Sequence, residues 1–526
     1  MIHAQAARHP TAPAIVYEGQ TWDFSALETL TQHAAGGLAS LGIKAGDRVA
    51  LWLPNTPAYL ALWLGCARLG AIAVAVNTRF RAVEVADIVH RSGARVLAMW
   101  PGFRSIPFLE ILAEIDPSAL EHLEAIVLYD EGDQATEVPD AIGRMKQVRY
   151  SDLIAGNRLE ADHSLPDTPS NMFTTSGTTK APKFVVHTHA SVSRHAGTVA
   201  NADRYADSKG GILQALPLCG VFGFCQATAA LAGGRPMLLM SAFEPDRALD
   251  LIDAYEVEHM NGSDDMFTAL FDATPRELAL PSVKHAGFAS FAAEPEVFIQ
   301  LAESRGLKLV GLYGMSEVQA FFSRQPLDAP TERRLLGGGI PLDPQAEVRV
   351  TDPDSGELLP PGEQGEIELR GPSLMQSYYR NEEATQEAMR SDGFLRSGDL
   401  GTLSEDGGFV YLARMGDVLR LGGFLVAPAE IEAHLNTHPA VTGAQVVGIR
   451  TERGARPVAF VTLSAGAEAN GVDEATLQAH CLGGLAKFKA PDRIYTLAEF
   501  PTTKSANGTK IQKAALRALA EQQGQA

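Results

Sequence analysis

The chain has 526 residues, of which 45% are hydrophobic and 20% charged; it is too long for a minimal binding module and has room for several buried cores. Lysine and arginine number 44 against 63 aspartate and glutamate, a net charge of −19, so the broad basic surface that holds nucleic acid or an anionic membrane is missing and a polyanionic ligand needs a local site. Cys66, Cys219, Cys225 and Cys481 show neither CxxC pairing nor zinc spacing, and MIHAQAARHP at the start carries no basic-then-apolar leader; unpaired thiols in a cytoplasmic protein are expected.

In chain order, strands are predicted over 13–17, 48–53, 71–76 and 94–99, alternating with helices over 25–41, 58–69 and 81–92. That alternation is the mark of βαβ units and a largely parallel sheet covered by helices. The stretch 58–76 approaches membrane-spanning length, but Arg68 in its middle and Gly70 favour a helix over 57–69 leading into a buried strand, so no membrane span is expected. The alternation resumes with a strand over 237–239, helices over 245–256 and 295–305, and a strand over 308–312. A turn-rich region then carries strands over 347–350 and 366–370, which predicts a small antiparallel subdomain within 337–412. Beyond it come a helix over 428–437, strands over 441–449 and 458–463, a helix over 474–483 and a lysine-rich end, a unit of roughly 110 residues. The expected fold class is α/β: a large multi-subdomain N-terminal domain, 1–415, with mixed, largely parallel sheets, and a small α+β C-terminal domain, 416–526.

Several segments are dense in hydroxyls, glycines and charges. In TTSGTTKAPK, 174–183, hydroxyls and backbone N–H groups in a turn can wrap phosphate oxygens while a lysine adds a point charge; Pro182 stands where a Walker A loop needs glycine, and a solvated turn is the competing reading. YGMSE, 313–317, follows an apolar run, at the carboxyl end of a strand where open α/β sheets bind ligands. There Tyr313 can stack on a base, Ser316 can donate to a phosphate and Glu317 can hold magnesium; the alternative is a capped helix start. In SDGFLRSGDLG, 391–401, Asp399 is placed in a glycine-flanked turn suited to two ribose hydroxyls, or in a plain hairpin turn. Gly416, Gly422 and Gly423 permit unusual backbone angles at the domain boundary. The turn signal Asn507-Gly508 puts Lys510 just past a tight turn, in a segment from Cys481 onward that carries seven Lys/Arg against three Asp/Glu.

The identity, order and spacing of these segments together resemble the adenylate-forming (ANL) superfamily, in its acyl-CoA synthetase branch, over nearly the whole chain. The resemblance implies a C-terminal domain that moves against the large one, and a reaction in which ATP activates a carboxylic acid as acyl-AMP, releasing pyrophosphate, before the acyl group passes to a thiol. ATP, magnesium and coenzyme A are the implied cofactors and partners, with a small-molecule carboxylic acid as substrate; a carrier-protein thiol is the rival acceptor, and a nucleotide-binding homologue without catalysis is the rival of another class. A homodimer is left open. Carried over residue by residue, Thr175, Ser176, Gly177, Thr178, Thr179 and Lys183 match the phosphate loop. Tyr313 matches the aromatic on adenine, Ser316 the hydroxyl facing the α-phosphate and Glu317 the magnesium ligand. Asp399 and Arg414 match the ribose contacts, and Phe288, Ala289 and Gly314 join the nucleotide-binding set. Lys510 matches the lysine that bridges carboxylate and α-phosphate, Gly416 the hinge, and Gly422 and Gly423 the segment near the pantetheine arm.

The family pattern is departed from at Lys180 and Phe184, which stand where the phosphate loop usually has glycine; a left-handed backbone there costs about 1 to 2 kcal/mol each. Gly220 stands where many acyl-CoA synthetases have histidine, which widens the acyl site. Cys219, Gly220, Phe222, Gly223, Phe291, Met315 and Val318, with Phe224 and Phe288, are the expected acyl-pocket set, and the expected acid is bulky and apolar: medium-chain, branched, cyclic or aromatic.

Overall fold

The structure is a computed structural model that describes residues 1–129, 139, 142–175, 182–289, 295–421, 424–451, 454–467, 471–485, 487, 489–505 and 508–524. Its first sheet has eight strands in the order Ser377–Tyr378, Phe184–Thr188, Pro169–Thr174, Ile72–Ala75, Arg48–Trp52, Val96–Met99, Ala125–Leu128, Lys146–Arg149. Every pairing from Pro169–Thr174 to the last strand is parallel, and the two at the opposite edge are antiparallel. The helix Pro57–Leu69 covers one face. Proline at its first position lacks only a donor that would be orphaned anyway, Thr56 caps it by accepting from Tyr59 N (3.2 Å), and Gly70 stops it in the left-handed region (φ 71°). Arg68 is tolerated in this buried helix because its guanidinium pairs with the buried Glu28 carboxylate and donates to the Glu160 carbonyl at 2.6 Å.

A second sheet has nine strands. His259–Ser263, His285–Ala289 and Leu309–Tyr313 run parallel, and Ser323–Arg324, Gly338–Pro341, Phe409–Arg414, Leu395–Leu403, Gln364–Arg370 and Glu347–Thr351 follow antiparallel. The antiparallel strands expected within 337–412 are therefore present, but they continue the parallel sheet instead of standing beside it. A four-stranded sheet, Ile212–Gln214, Met237–Leu239, Pro13–Tyr17, Gln20–Asp23, completes the large part. The predicted helices and strands recur with ends shifted by a few residues at most, the strand 458–463 starting earliest, at Gly454.

The apolar cores are arranged in the same way. Four clusters draw only on residues up to Tyr411, and two more, built on the strands Val441–Thr451, Gly454–Leu463 and Arg493–Thr496, draw only on residues from Leu419 onward. Among the described residues no helix is long and apolar enough to cross a membrane, and all four cysteines are free thiols.

Candidate active site

The apolar run 309–313 forms a strand buried between a parallel and an antiparallel neighbour, and it delivers Tyr313 at its carboxyl end. Tyr313 is backed by Phe409 edge-on (centroids 5.0 Å) and by Tyr411 at 5.9 Å. Its hydroxyl donates to Asp399 Oδ2 at 2.6 Å. Asp399 is not in a turn, as its glycine neighbours suggested. It stands within the strand Leu395–Leu403, directly opposite Arg414, because Gly398 takes up a left-handed φ of 69° there and lets the ladder continue past it. Arg414 lies 2.9 Å from Asp399 Oδ1 but is not aligned as a hydrogen-bond donor, so that buried oxygen keeps its acceptor capacity. Burial pushes the Asp399 carboxyl up to about 6, against the pull of Arg414 and of the Tyr313 hydrogen bond. Burial raises Tyr313 well above its ordinary value, so it stays a neutral donor.

Beyond Tyr313 the chain tightens into a 3₁₀ turn, Ser316–Val318, and no side chain caps it. Glu317 is 6% exposed and makes no close ion pair among the described residues, although Arg414 acts on it at longer range; its Oε1 accepts from the Tyr378 hydroxyl at 2.8 Å. A carboxylate at that depth with no close ion pair among the described residues fits a hard divalent cation, and magnesium is commonly held by one carboxylate together with substrate phosphates. The Ser316 carbonyl is 2.7 Å from His187 Nε2, which is buried and pushed down to about 4, chiefly by desolvation, and so is neutral near pH 7.

Lys183 places its ammonium 4.5 Å from the Tyr378 ring centroid, joining the phosphate-loop segment to the Glu317 side of the cleft. The base of that loop is closed by Thr175 N to Lys183 O at 2.9 Å and Lys183 N to Thr175 Oγ1 at 3.1 Å. Phe184 is buried in an extended strand opposite Thr174, so the strain feared from losing glycine does not arise at that position. Arg91 lies over its ring at 4.6 Å and donates to the Pro182 carbonyl at 2.6 Å. Ser176, Gly177, Thr178, Thr179 and Lys180 fall outside the described residues, as do Phe291, Gly422 and Gly423.

On the expected acyl side, Gly220 begins the helix Val221–Ala232. Gly223 is required by packing: a Cβ there would lie 2.3 Å from the Pro217 carbonyl oxygen. Phe222 meets Phe321 at 5.0 Å, while Phe224 stacks edge-on between Trp63 and Phe173. Burial pushes the Cys219 thiol up to about 11. Phe224, 3% exposed, belongs to the core, and so do two further expected lining residues. Phe288 is 1% exposed and packs on Phe298, and Val318 is fully buried among Val185, Tyr313 and Phe322, since each side chain points into the layer beneath its strand or turn. Ala289 ends its strand at the same edge as Tyr313, Gly314 is held by backbone at Ala320 (2.6 Å from a built Cβ), and Met315 packs partly buried on the same core as Tyr313.

Lys510 sits in the hairpin Thr502–Ser505/Gly508–Ile511, opposite Thr503. Gly508 is already part of the second strand, opposite Ser505, and residues 506–507 fall outside the described residues. Around Gly416 there is no atom within 4 Å of a built Cβ, and its φ is not left-handed; Arg517 donates to its carbonyl at 3.2 Å and pairs with Asp417. Tyr378, Tyr411 and His187 were missed by sequence reasoning. Only the antiparallel seating of Ser377–Tyr378 on Phe184–Thr188 reveals Tyr378, and no local pattern signals it.

A deep carboxylate with a free acceptor and a neutral tyrosine at a strand end stand near a second carboxylate that shares Tyr378 with Lys183, an arrangement that suits a nucleotide. Residues 2–379 match the AMP-binding enzyme family and residues 430–507 the AMP-binding enzyme C-terminal domain, and the chain belongs to that adenylate-forming family. It is 29% identical over 530 residues to Triostin synthetase I of Streptomyces triostinicus, covering 99% of this chain and 94% of that one. It is 29% identical over 516 residues to feruloyl-CoA synthase of Amycolatopsis sp, covering 95% of each. The O-succinylbenzoate coenzyme A synthetase of Bacillus subtilis in complex with AMP superposes with a TM-score of 0.78 at 25% identity, over 98% of this chain and 97% of that one. The same synthetase in complex with ATP and magnesium superposes with a TM-score of 0.77 at 24% identity, over 97% and 98%.

Proposed function

We propose that the chain is an ATP-dependent acid–CoA ligase. The observation that carries the reading is Asp399, held deep in the sheet by Tyr313 and Arg414 with one acceptor oxygen unused, which suits a pair of ribose hydroxyls. In the first half-reaction the acid's carboxylate oxygen attacks the α-phosphorus of ATP, the bond to the bridging oxygen breaks, and pyrophosphate leaves. In the second, the CoA sulfur attacks the acyl carbon, AMP departs with its oxygen, and the thiol proton passes to solvent. Asp399 and Arg414 orient the ribose, Tyr313 walls the base, and Thr175, Lys183 and the loop between them receive the β- and γ-phosphates. Glu317 is the residue that holds magnesium, which supplies charge neutralisation on the phosphates when bound. Lys510 sets a fixed positive charge against the reacting carboxylate and α-phosphate, where removing one such contact costs roughly 100- to 1000-fold in rate. We assign the boundary between the large domain and the C-terminal one to Gly416, and an apolar acid to the side lined by Cys219, Gly220 and Phe222.

Acid-dependent ATP–pyrophosphate exchange across fatty, branched, alicyclic and aryl acids tests the reading, with free CoA and a phosphopantetheinylated carrier protein as the two acceptors in the thioester assay. Exchange with a bulky apolar acid and loading of CoA are expected. No exchange with any acid refutes the ligase, a preference for acetate refutes the apolar pocket, and loading of the carrier alone refutes CoA as acceptor. Lys510→Ala is expected to abolish acyl-AMP formation while nucleotide binding persists, and unchanged adenylation removes Lys510 from its role.

A further inference from the structure

Glu317 lies in the 3₁₀ turn just after a strand of the nine-stranded sheet, Lys183 just before a strand of the eight-stranded one, and one side chain touches both. The Tyr378 hydroxyl donates to Glu317 Oε1 at 2.8 Å, and the Lys183 ammonium lies over the face of the same ring at 4.5 Å. We propose that Tyr378 is a positioning residue for the phosphate and metal end of the site, fixing the Glu317 carboxylate so that its other oxygen meets the cation and holding Lys183 beside the phosphates. The proposal rests on the adenylation reading above.

The backbone around Tyr378 supports this independently. Met375 N donates to the Glu317 carbonyl at 2.7 Å, so the segment grips both the main chain and the side chain of that residue. Gln376 N and Tyr379 N donate to Val186 O (2.8 Å) and Phe184 O (2.9 Å), on the strand that leaves the phosphate loop. Five consecutive residues thus tie the loop's exit to the carboxylate. Tyr378 is 6% exposed, so water does not stand in easily for its hydroxyl. A carboxylate with a donor on one oxygen loses a rotation it would otherwise have to lose when a cation binds, and that preorganisation appears as metal affinity.

Tyr378→Phe keeps the ring under Lys183 and removes only the hydroxyl. Manganese(II) is titrated into the full chain with a non-hydrolysable ATP analogue and read by the electron paramagnetic resonance of the free ion. Binding about tenfold weaker than wild type is expected. The magnesium concentration for half-maximal exchange is expected to rise by a similar factor, with the rate at saturating magnesium nearly kept and analogue binding in EDTA unchanged. Tyr378→His, which returns a donor to the same wall, is expected to recover part of the lost affinity, and thermal melting checks that each variant is folded. Equal manganese affinity in wild type and Tyr378→Phe overturns the proposal. So does a fall in saturating rate with unaltered metal dependence, which is what a packing role gives. If wild type shows no exchange with any acid, the ligase reading fails instead, and the manganese titration still decides the role of Tyr378.

Discussion

Asp399→Asn isolates what the buried carboxylate does to the fold from what it does for a nucleotide. The carboxyl is raised from 3.8 to about 6, first by burial, with Arg414 and Tyr313 pulling the other way. Because the folded value lies above the unfolded one, the folded state holds the proton more tightly. The associated stability is complete below about pH 4 and is lost as pH rises through about 6. At pH 8 the ionised group therefore costs about 3 kcal/mol, and at pH 5 about half of that. Asparagine has nearly the same shape, still accepts from Tyr313 and carries no charge to bury; Arg414, half exposed, keeps water as a partner. Without nucleotide, Asp399→Asn is thus expected to melt higher than wild type at pH 8, by roughly 4 °C if about 400 residues unfold together, with the gap narrowing toward pH 5. AMP affinity is expected to move oppositely, falling in the variant and, in wild type, falling as pH drops through about 6. Melting curves and AMP titrations from pH 5 to 8 supply both numbers. A variant that melts lower than wild type at pH 8, or a gap independent of pH, refutes the reasoning.

Other expectations concern the side proposed to take the acyl group. Gly223→Ala places a Cβ 2.3 Å from the Pro217 carbonyl and 2.6 Å from that of Leu216, backbone atoms that cannot turn aside; a loss of about 2 kcal/mol or more is expected, and an unchanged melting temperature contradicts that packing. The Cys219 thiol, pushed up to about 11 by burial, is expected to alkylate with iodoacetamide at pH 7.5 at least ~10-fold more slowly than glutathione. Rapid labelling at that partly buried residue, mapped by mass spectrometry, contradicts the raised thiol.

The alternation of apolar runs and helical patterns made the parallel sheets legible, since each strand of that kind is buried on both faces and reads as a short apolar block. The helix 57–69 was legible in detail because proline, threonine and glycine fix its two ends by local chemistry. Asp399 was found as a residue but misplaced in a turn. Its glycines signal positive φ, and only the pairing with Arg414 shows that Gly398 spends that freedom inside a strand. Phe288 and Val318 looked like pocket walls because apolar character does not say which side of a layer a side chain faces. Tyr378 escaped altogether: its partners Glu317 and Lys183 are far from it in sequence, and such contacts leave no periodic trace.

The continuity of the nine-stranded sheet has a mechanical consequence. Tyr313 and Asp399 are carried by strands of one sheet and joined across it by a side-chain hydrogen bond, so the spacing between the proposed base wall and ribose carboxylate is set by the sheet and that bond together. Cys219, Gly220 and Phe222 belong to a helix start anchored in a different core. On the proposed reading, substitutions there reshape what the site admits without flexing the sheet assigned to the nucleotide, a fixed gauge at one end and an adjustable jaw at the other.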